Sequence, residues 1–266
     1  MNGGCVGKVL KVNLTEGTTA VETPGDDFYR RYYGGRALIA QYLLRDMAPG
    51  TDPLGPGNVL VFAAGPITGG PFAGSGRSSV GARSPLTGAY GDGEAGGYWG
   101  VELKRAGFDA VVCYGRAEKP VYLWIHDGVP ELRDARELLG LKTAEAEAAI
   151  QDQLGEKHAR VAQCGPAGER LVLYSCVAHD LTHFAGRTGL GAVMGAKGLR
   201  AIAVRGSQAV PAADPEAVRE LGRWFAQRVQ ELSGPMQDLG TPGVLLPLNL
   251  AGGLPTRNFR DGHFEG

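Results

Sequence analysis

The sequence predicts an α+β fold: an N-terminal domain of two similar β-sheets with helices, related by a pseudo-twofold axis, followed by the start of a helical domain. One order of parts occurs twice along the chain. It consists of a hairpin turning at an acidic residue plus glycine, a helix, a strand ending in Gly-Pro, and a glycine-rich loop containing an arginine. The corresponding parts lie about a hundred residues apart. This repetition indicates an internal duplication.

The first half opens with a hairpin and two helices. Residues 9–14 alternate apolar and polar side chains, Glu16-Gly17 supplies a turn, and residues 18–22 return. Residues 26–47 follow a helical period. Gly34-Gly35-Arg36 interrupts that period, so two helices are expected there.

The rest of the first half combines buried strands with an irregular segment. Residues 59–64 are continuously apolar, as in a buried strand, and end at Gly65-Pro66. Residues 84–100 are rich in glycine and are expected to be irregular. They lead into a short helix over 101–106 and a strand over 110–114.

The second half predicts a matching series of elements. Thr143 is the expected N-cap of its helix, with Glu145 and Glu147 in the first turns, where negative charge is favourable. The expected elements are a hairpin over 121–133 turning at Asp127-Gly128, a helix over 143–154, and strands over 160–164, 171–178 and 199–204.

After residue 206 the character of the chain changes. Residues 211–266 are predicted to be a linker and the incomplete start of a helical domain, with one amphipathic helix over 215–232. A single helix cannot bury its own apolar face. We therefore expect exposed apolar side chains on this helix, at Leu221, Trp224, Phe225 and Leu232.

Composition excludes several classes of function. The 266 residues carry a net charge of −1, which gives no electrostatic reason to expect a nucleic acid or a membrane surface. The sequence has no apolar run long enough to span a membrane and no secretory signal. None of the four cysteines forms a C-x-x-C pair, so free thiols in a cytoplasmic protein are expected.

Two glycine-rich loops indicate a binding site for an anionic group. Residues 72–82 and 184–197 both read Phe-Ala-Gly, then an arginine among small residues. Glycine lets the backbone approach a ligand closely, and backbone N–H groups beside a guanidinium hold phosphate well. The loops match neither the dinucleotide fingerprint nor the P-loop in spacing, so a nucleotide-binding domain is only a third alternative.

Beyond these loops, the chain resembles the aldehyde ferredoxin oxidoreductases, which are tungsten enzymes with a bis-pyranopterin cofactor. The resemblance is collinear over essentially the whole chain. The matching segments are Val12-Asn13-Leu14-Thr15, Asp52-Pro53-Leu54-Gly55-Pro56, Ala64-Gly65-Pro66-Ile67-Thr68-Gly69, Ser84-Pro85-Leu86-Thr87-Gly88, Gly96-Gly97-Tyr98-Trp99-Gly100, Glu102-Leu103-Lys104-Arg105-Ala106-Gly107, Gly165-Pro166-Ala167-Gly168-Glu169, residues 186–195 and Leu254-Pro255-Thr256-Arg257-Asn258-Phe259.

This resemblance implies a cofactor and a fold. It implies that residues 1–206 are a tungstopterin-binding domain of two related sheets on which the cofactor lies. Dithiolene sulfurs of two pterins would hold tungsten, with molybdenum as the alternative metal. A magnesium ion would bridge the two pterin phosphates and take backbone carbonyls.

The resemblance also implies site residues by position. Arg77 matches a phosphate-binding arginine, and Gly186 and Arg187 match cofactor contacts in the second loop. Glu94 falls where the family often has an asparagine whose carbonyl reaches magnesium, and Gly96 follows it with Gly97.

Two residues of the second loop depart from the family pattern. His183 falls where the family has another phosphate-binding arginine, and Phe184 falls where a small residue supplies the second carbonyl to magnesium. The resemblance gives no catalytic residue in this chain.

Some of these residues also admit structural interpretations. Arg77 and Arg187 could be surface arginines, and Tyr98 and Trp99 are expected in the core. Lys104 and Lys197 are expected to be solvated. His179 and His183 would share a face if helical, but no third metal ligand is evident.

The implied activity is oxidation of an aldehyde to a carboxylic acid. Electrons would pass through a [4Fe–4S] cluster to ferredoxin or a similar acceptor, and the cluster is expected on remaining C-terminal domains or a partner subunit. No cysteine follows Cys176, so this chain alone is expected to be incomplete and inactive. The alternative is a truncated or split-gene pterin-binding protein without catalytic activity by itself.

Overall fold

Two six-stranded sheets form the larger part of the protein. The computed structural model describes residues 3–265, with only the backbone described for Gln230 and Pro235. The chain divides between Pro215 and Glu216 into two units, of which the first contains both sheets. In the described part, no helix has both the length and the apolar character needed to cross a membrane.

The first sheet has the strand order β2-β1-β6-β3-β4-β5. Strands β1 and β6 are parallel, and the other neighbours are antiparallel. Its strands are β1 (Val9–Asn13), β2 (Thr18–Glu22), β3 (Leu60–Ala64), β4 (Ser78–Arg83), β5 (Tyr90–Ala95) and β6 (Ala110–Tyr114), and the helices of this half are α1 (Asp26–Tyr32), α2 (Gly35–Asp46) and α3 (Trp99–Arg105).

The second sheet repeats this topology, with the order β8-β7-β12-β9-β10-β11. Strands β7 and β12 are parallel and the rest antiparallel, as in the first sheet. Its elements are β7 (Val121–His126), β8 (Val129–Asp134), a 3₁₀ turn (Arg136–Leu138), α4 (Thr143–Leu154), β9 (Arg160–Gln163), α5 (Pro166–Glu169), β10 (Val177–His179), β11 (His183–Ala185), α6 (Leu190–Ala196) and β12 (Leu199–Arg205). The identical order confirms the predicted duplication.

The strand registers define which positions correspond. Ser79 of β4 lies opposite Glu94 of β5, and Ala178 of β10 lies opposite Phe184 of β11. Ser79 and Ala178 each also pair with the residue two before a Gly-Pro. Glu94 and Phe184 are therefore equivalent positions in the two halves.

The two glycine-rich loops are not equivalent, contrary to the sequence interpretation. The first loop leads into β4, whereas the second begins within β11 and includes α6. The true counterpart of Ala185-Gly186-Arg187 is Ala95-Gly96-Gly97, directly after β5. Hydrogen-bond register fixes strand equivalence, and the repeated Phe-Ala-Gly does not follow it.

The core lies between the facing sheets. Leu10 and Val12 of β1 share one apolar cluster with Ile202 and Val204 of β12, and α3 and α6 contact strands of both sheets. The opposite faces are also covered, by α2 on the first sheet and by α4 on the second. Because both faces are buried, β3 is continuously apolar, as predicted.

The predicted elements are mostly found, with three corrections. Residues 90–95 form β5 although an irregular segment was expected, and of residues 171–178 only the end belongs to β10. Helix α4 has Lys142 as its N-cap rather than Thr143. The Lys142 backbone N–H donates to the carboxylate of Glu145 at 2.9 Å, which closes this helix end.

The second unit contains helix α7 (Pro215–Leu239), a 3₁₀ turn (Thr241–Val244) and α8 (Leu245–Leu250). Helix α7 extends beyond the predicted end and is kinked at Gly234, which has φ 38°. Leu221, Trp224 and Leu232 are exposed as expected, while Phe225 is half-buried.

Candidate cofactor-binding site

The outer strands of the two sheets meet, and glycines make this contact close. A Cβ at Gly93 of β5 would lie 3.2 Å from Ala185 of β11, and one at Gly91 would lie 2.8 Å from Thr188. Larger residues would push the sheets apart. Propensity rules predict no strand for a segment as rich in glycine as β5. The close contact between the two sheets nevertheless requires these glycines.

Glu94 presents its backbone groups at this junction. The Ser84 N–H donates to the Ala89 carbonyl at 2.8 Å, so Ser84 and Ala89 form a hydrogen-bonded pair of the β4–β5 hairpin. Such pairs alternate along an antiparallel ladder. Counting along the register, Glu94 belongs to a non-hydrogen-bonded pair, so its N–H and C=O point away from β4 and off the sheet edge.

Phe184 presents its backbone in the same way. The Asp180 N–H donates to the Val161 carbonyl at 3.1 Å, so Ala178 exchanges its hydrogen bonds with β9. Its pairing with Phe184 is then non-hydrogen-bonded, and the Phe184 C=O points away from β10. Two equivalent carbonyls therefore face outward from the meeting edges.

The turn after β5 joins both glycine-rich loops. A Cβ at Gly76 of the first loop would lie 2.3 Å from the Gly97 carbonyl. A Cβ at Gly96 would lie 2.7 Å from the ring of His183, and one at Gly97, which has φ +81°, would lie 2.8 Å from Asp180. The first loop and the β10–β11 hairpin, which leads into the second loop, therefore lie on either side of this turn.

Two arginines surround Glu94. The Nε of Arg36 lies 2.6 Å from Asp92 and 3.3 Å from Glu94, and Nη1 of Arg77 lies 3.6 Å from Glu94. Both guanidinium groups are more than half exposed, at 55% and 66%. The additional negative charge of Glu94 is therefore balanced by Arg36, which the sequence analysis did not select.

A cavity of about 320 Å³ lies beside this cluster. The Thr68 hydroxyl accepts from the Gly65 N–H at 2.9 Å and donates to the Arg77 carbonyl at 2.7 Å, which fixes the start of β4. The cavity is lined by Gly34, Gly35, Arg36, Ala37, Gly65, Pro66, Ile67, Thr68, Gly74, Ser75, Arg77, Ser79 and Glu94.

The residues of the second loop are open. His183, Gly186 and Arg187 are exposed, and Phe184 is 52% exposed. Arg187 makes no ion pair with any described residue, and Gly186 has room around it. All eight predicted site residues thus lie at or next to the β5–β11 junction, although their roles stay a prediction.

The two histidines lie opposite each other across the β10–β11 hairpin rather than on a helix. His179 is fully buried, at 5.3 Å from the Trp99 ring, and burial together with nearby His183 lowers its pKa to about 3. No cluster of three or more His, Cys, Asp or Glu side chains suited to a metal is found within the described chain.

Several structural expectations for individual side chains are wrong. Tyr98 is 61% exposed, although Trp99 is buried as expected. Lys104 and Lys197 are buried rather than solvated, at 1% exposure each, because backbone carbonyls bind their ammonium groups. Lys104 Nζ contacts four carbonyls.

Sequence reasoning missed Arg36, Ser79 and the start of α2. A signal was present, because two glycines followed by arginine at a helix start is a pattern that suits an anion. The helical period by itself identifies Gly34-Gly35-Arg36 only as an interruption. Arg36 lies near Arg77 because α2 packs against β4 and β3, which is a contact between distant segments.

Comparison with known proteins identifies relatives of this chain. The family described as aldehyde ferredoxin oxidoreductase, N-terminal domain, matches residues 9–206. The tungsten-containing aldehyde ferredoxin oxidoreductase of Pyrococcus abyssi is 42% identical over 265 residues, which is 98% of this chain and 44% of that protein. The enzyme of the same name from Thermococcus kodakarensis is 42% identical and covers 97% of this chain and 43% of its own length.

Other relatives carry different names. The WOR-like subunit of an aliphatic sulfonate oxidoreductase from Pyrococcus furiosus is 32% identical and covers 82% of this chain and 37% of its own. A chain in the BamBC active-site complex of benzoyl coenzyme A reductase with 1,5-dienoyl-CoA aligns with a TM-score of 0.84 and 35% identity, covering 90% of this chain and 37% of that one. The chain spans less than half the length of these relatives.

Proposed function

Because this chain belongs to the aldehyde ferredoxin oxidoreductase family, we propose that it is the cofactor-binding portion of a tungsten-containing oxidoreductase. The proposed activity is oxidation of aldehydes to carboxylic acids, with electrons passing through a [4Fe–4S] cluster to ferredoxin. The cluster and the substrate pocket would be supplied by further domains or a partner subunit. Relatives named for tungsten and aldehyde oxidation support this assignment.

The observation that carries the proposal is the pair of outward carbonyls at Glu94 and Phe184. They occupy equivalent positions on two edge strands that meet. Hard cations such as magnesium prefer oxygen ligands, including backbone carbonyls. A magnesium ion between these carbonyls would sit where the two halves converge, and it would bridge one phosphate from each pterin.

The remaining site residues fit the phosphates. Arg77 would hold the phosphate on the side of the first half, and Arg187 with His183 would hold the second. Gly96, Gly97 and Gly186 would let the backbone approach the cofactor without a side chain in between. When bound, the tungsten bis-pyranopterin supplies the two-electron redox chemistry, and this chain positions it.

In this proposal the substrate class would be set by the further domains or partner subunit. The relatives include proteins named for aldehydes, for aliphatic sulfonates and for a benzoyl coenzyme A reductase. The name that recurs at 42% identity is the aldehyde enzyme. We therefore favour aldehydes as the substrates.

The alternative is a protein that holds the pterin pair without catalysis. The chain has four cysteines, with none after Cys176, so it offers no C-x-x-C-x-x-x-C segment for a cluster. Such a segment, in the same gene or in a neighbouring one, would favour the enzyme. Its absence from both would favour the binding protein.

The test is metal and pterin analysis of the full-length protein from a host supplied with tungstate. We expect stoichiometric tungsten with twice as much pterin, and aldehyde-dependent reduction of ferredoxin. Molybdenum instead of tungsten would change the metal but keep the site. Protein that contains neither metal nor pterin would sink the proposal.

A further inference from the structure

Helix α2 begins at the cavity beside Arg77 with its N-terminus uncapped. Its N-cap is Gly34, and no side chain of the described residues accepts from its first amides. The first backbone N–H groups of a helix have no partner within the helix, and together with the helix dipole they attract anions. Gly35, Arg36 and Ala37, whose N–H groups are in this position, all line the cavity.

A buried serine points to the same place. Ser79 is 4% exposed and lines the cavity. A Cβ at Gly35 would lie 3.3 Å from its Oγ, so this hydroxyl faces the start of α2. Within residues 3–265, Ser79 Oγ has no hydrogen-bond partner. The hydroxyl opens onto the cavity although the residue is almost fully buried, so it can donate to a ligand bound beside the first amides of α2.

The second half of the molecule provides an internal comparison. Helix α4 corresponds to α2, but its start carries a carboxylate, that of Glu145, which accepts from the N–H of the N-cap residue Lys142 at 2.9 Å and disfavours an anion there. The position equivalent to Ser79 is Ala178, which has no hydroxyl. The features that suit an anion are therefore restricted to the first half.

The charges around the cavity decide which ligand fits. Arg36 and Arg77 are paired with Asp92 and Glu94, so these four side chains sum to zero. The Lys104 ammonium binds the carbonyls of cavity residues such as Gly65 from behind the wall, and the buried carboxylate of Asp109 balances its charge. An oxyanion with several acceptor oxygens suits free amides, a hydroxyl and two partly exposed guanidinium groups.

We propose that the start of α2, Ser79 and Arg36 complete a phosphate subsite with Arg77, and that this subsite takes one of the cofactor phosphates. The assignment of the phosphate to the cofactor rests on the proposed function. The subsite itself does not, because inorganic phosphate tests it directly. Arg36 and Ser79 are then binding residues, and the absence of a side chain at Gly35 leaves the space between the helix end and the Ser79 hydroxyl open to the phosphate.

The first test is titration of the ¹⁵N-labelled chain with inorganic phosphate, followed by NMR. We expect the amide resonances of Gly35, Arg36 and Ala37 to shift, and those at the start of α4 to stay. Ser79→Ala should weaken phosphate binding about three- to tenfold, and Arg36→Gln about tenfold or more.

Matched controls separate binding from folding. Ser78→Ala removes the neighbouring hydroxyl, which is also buried and unpartnered but does not line the cavity. Arg136→Gln removes an arginine that is 65% exposed and ion-paired, like Arg77. Both controls should bind phosphate like the unmodified chain. Equal weakening by Ser78→Ala and Ser79→Ala, or unshifted α2 amides, would overturn the subsite.

The second test uses pterin content in the full-length protein carrying the same substitutions. We expect Ser79→Ala and Arg36→Gln to lower pterin retention, while Ser78→Ala does not. If both variants lose phosphate affinity but retain pterin fully, the occupant is free phosphate and the assignment to the cofactor is wrong. If the unmodified protein contains no pterin at all, the proposed function fails while the NMR result still decides the subsite.

Discussion

The carboxylate of Asp180 accepts a hydrogen bond from the backbone N–H of Tyr98 at 2.7 Å, although the two residues belong to different halves of the duplication. The same oxygen accepts from the Trp99 N–H at 3.2 Å. Asp180 therefore caps helix α3 from 82 residues away. These hydrogen bonds also hold the β10–β11 hairpin against the turn after β5.

Loss of this cap should destabilise the protein. We expect Asp180→Ala to lower the free energy of unfolding by about 1–2 kcal/mol, as for other helix caps. Asp180→Asn, which keeps one acceptor oxygen, should recover part of the loss. Urea unfolding measures both variants, with exposed Asp152→Ala as a control expected to change stability by less than about 0.5 kcal/mol. Equal effects of Asp180→Ala and Asp152→Ala would exclude the capping role.

Arg77→Ala and Arg187→Ala should each lower cofactor occupancy in the full-length protein. A charge-assisted hydrogen bond to phosphate contributes about 1.5–3 kcal/mol, so each loss should weaken binding about ten- to hundredfold. Lysine should restore only part, because it lacks the planar fork of arginine. Tungsten and pterin per polypeptide are the measurement, with Arg136→Ala as control. Unchanged occupancy in both alanine variants would make these arginines structural.

Glu94→Gln should leave cofactor occupancy equal or raise it. The substitution removes a negative charge that pairs with Arg36 and Arg77, so Arg77 becomes free for phosphate while Arg36 keeps its ion pair with Asp92. It keeps the backbone carbonyl proposed to bind magnesium. Pterin content and magnesium dependence of pterin retention report the result, beside Glu131→Gln as an exposed control. A tenfold fall in occupancy would show instead that the carboxylate itself is a ligand.

Burial of His179 should make the protein sensitive to acid. Desolvation, with a smaller contribution from His183, lowers the pKa of His179 from 6.5 to about 3. Between those values the unfolded chain binds a proton that the folded chain does not, so stability is full above pH 6.5 and falls as the pH decreases towards 3. From pH 7.5 to 5.0 this group should account for about 2 kcal/mol of lost stability.

His179→Phe should remove that part of the pH dependence. The ring already packs against Trp99 and Phe62, and neither ring nitrogen has a partner among the described residues. Urea unfolding at pH 7.5 and 5.0 gives the difference between the variant and the unmodified chain. Replacement of the exposed His158 by Gln should leave the difference in place. An identical pH dependence in His179→Phe would contradict the assignment.

Lys104→Met should be strongly destabilising. The Lys104 ammonium donates to the carbonyls of Gly4, Gly65, Pro66 and Thr68 at 2.6–3.2 Å, and burial lowers its pKa. Methionine would leave these carbonyls without a donor, at a cost of about 3–5 kcal/mol. Urea unfolding compares the variant with exposed Lys157→Met, which should be close to neutral. A loss below about 1 kcal/mol would mean that water replaces the ammonium.

Local patterns determined most elements of the first unit. The hairpin at β1–β2, the two helices on either side of Gly34 and the buried strand β3 follow from alternation, helical period and apolar runs, which depend only on neighbouring residues. The order of parts also indicated the duplication. Segments such as residues 186–195 resemble those of the family and placed the chain in it. Such motifs depend on the chemistry of the binding site rather than on packing in the core.

The tertiary structure decided what lies next to what. Strand β5 exists because Gly91 and Gly93 let it meet the second sheet, and a local rule gives such a sequence no strand. Ser79 and Arg36 are separated along the chain, and the packing of α2 against β4 brings them to the cavity with Arg77. Lys104 is buried because carbonyls from distant loops converge on it. Sequence patterns give the secondary-structure propensity of each segment. Contacts between distant segments determine the site, because the free energy of these contacts depends on residues that no local pattern includes.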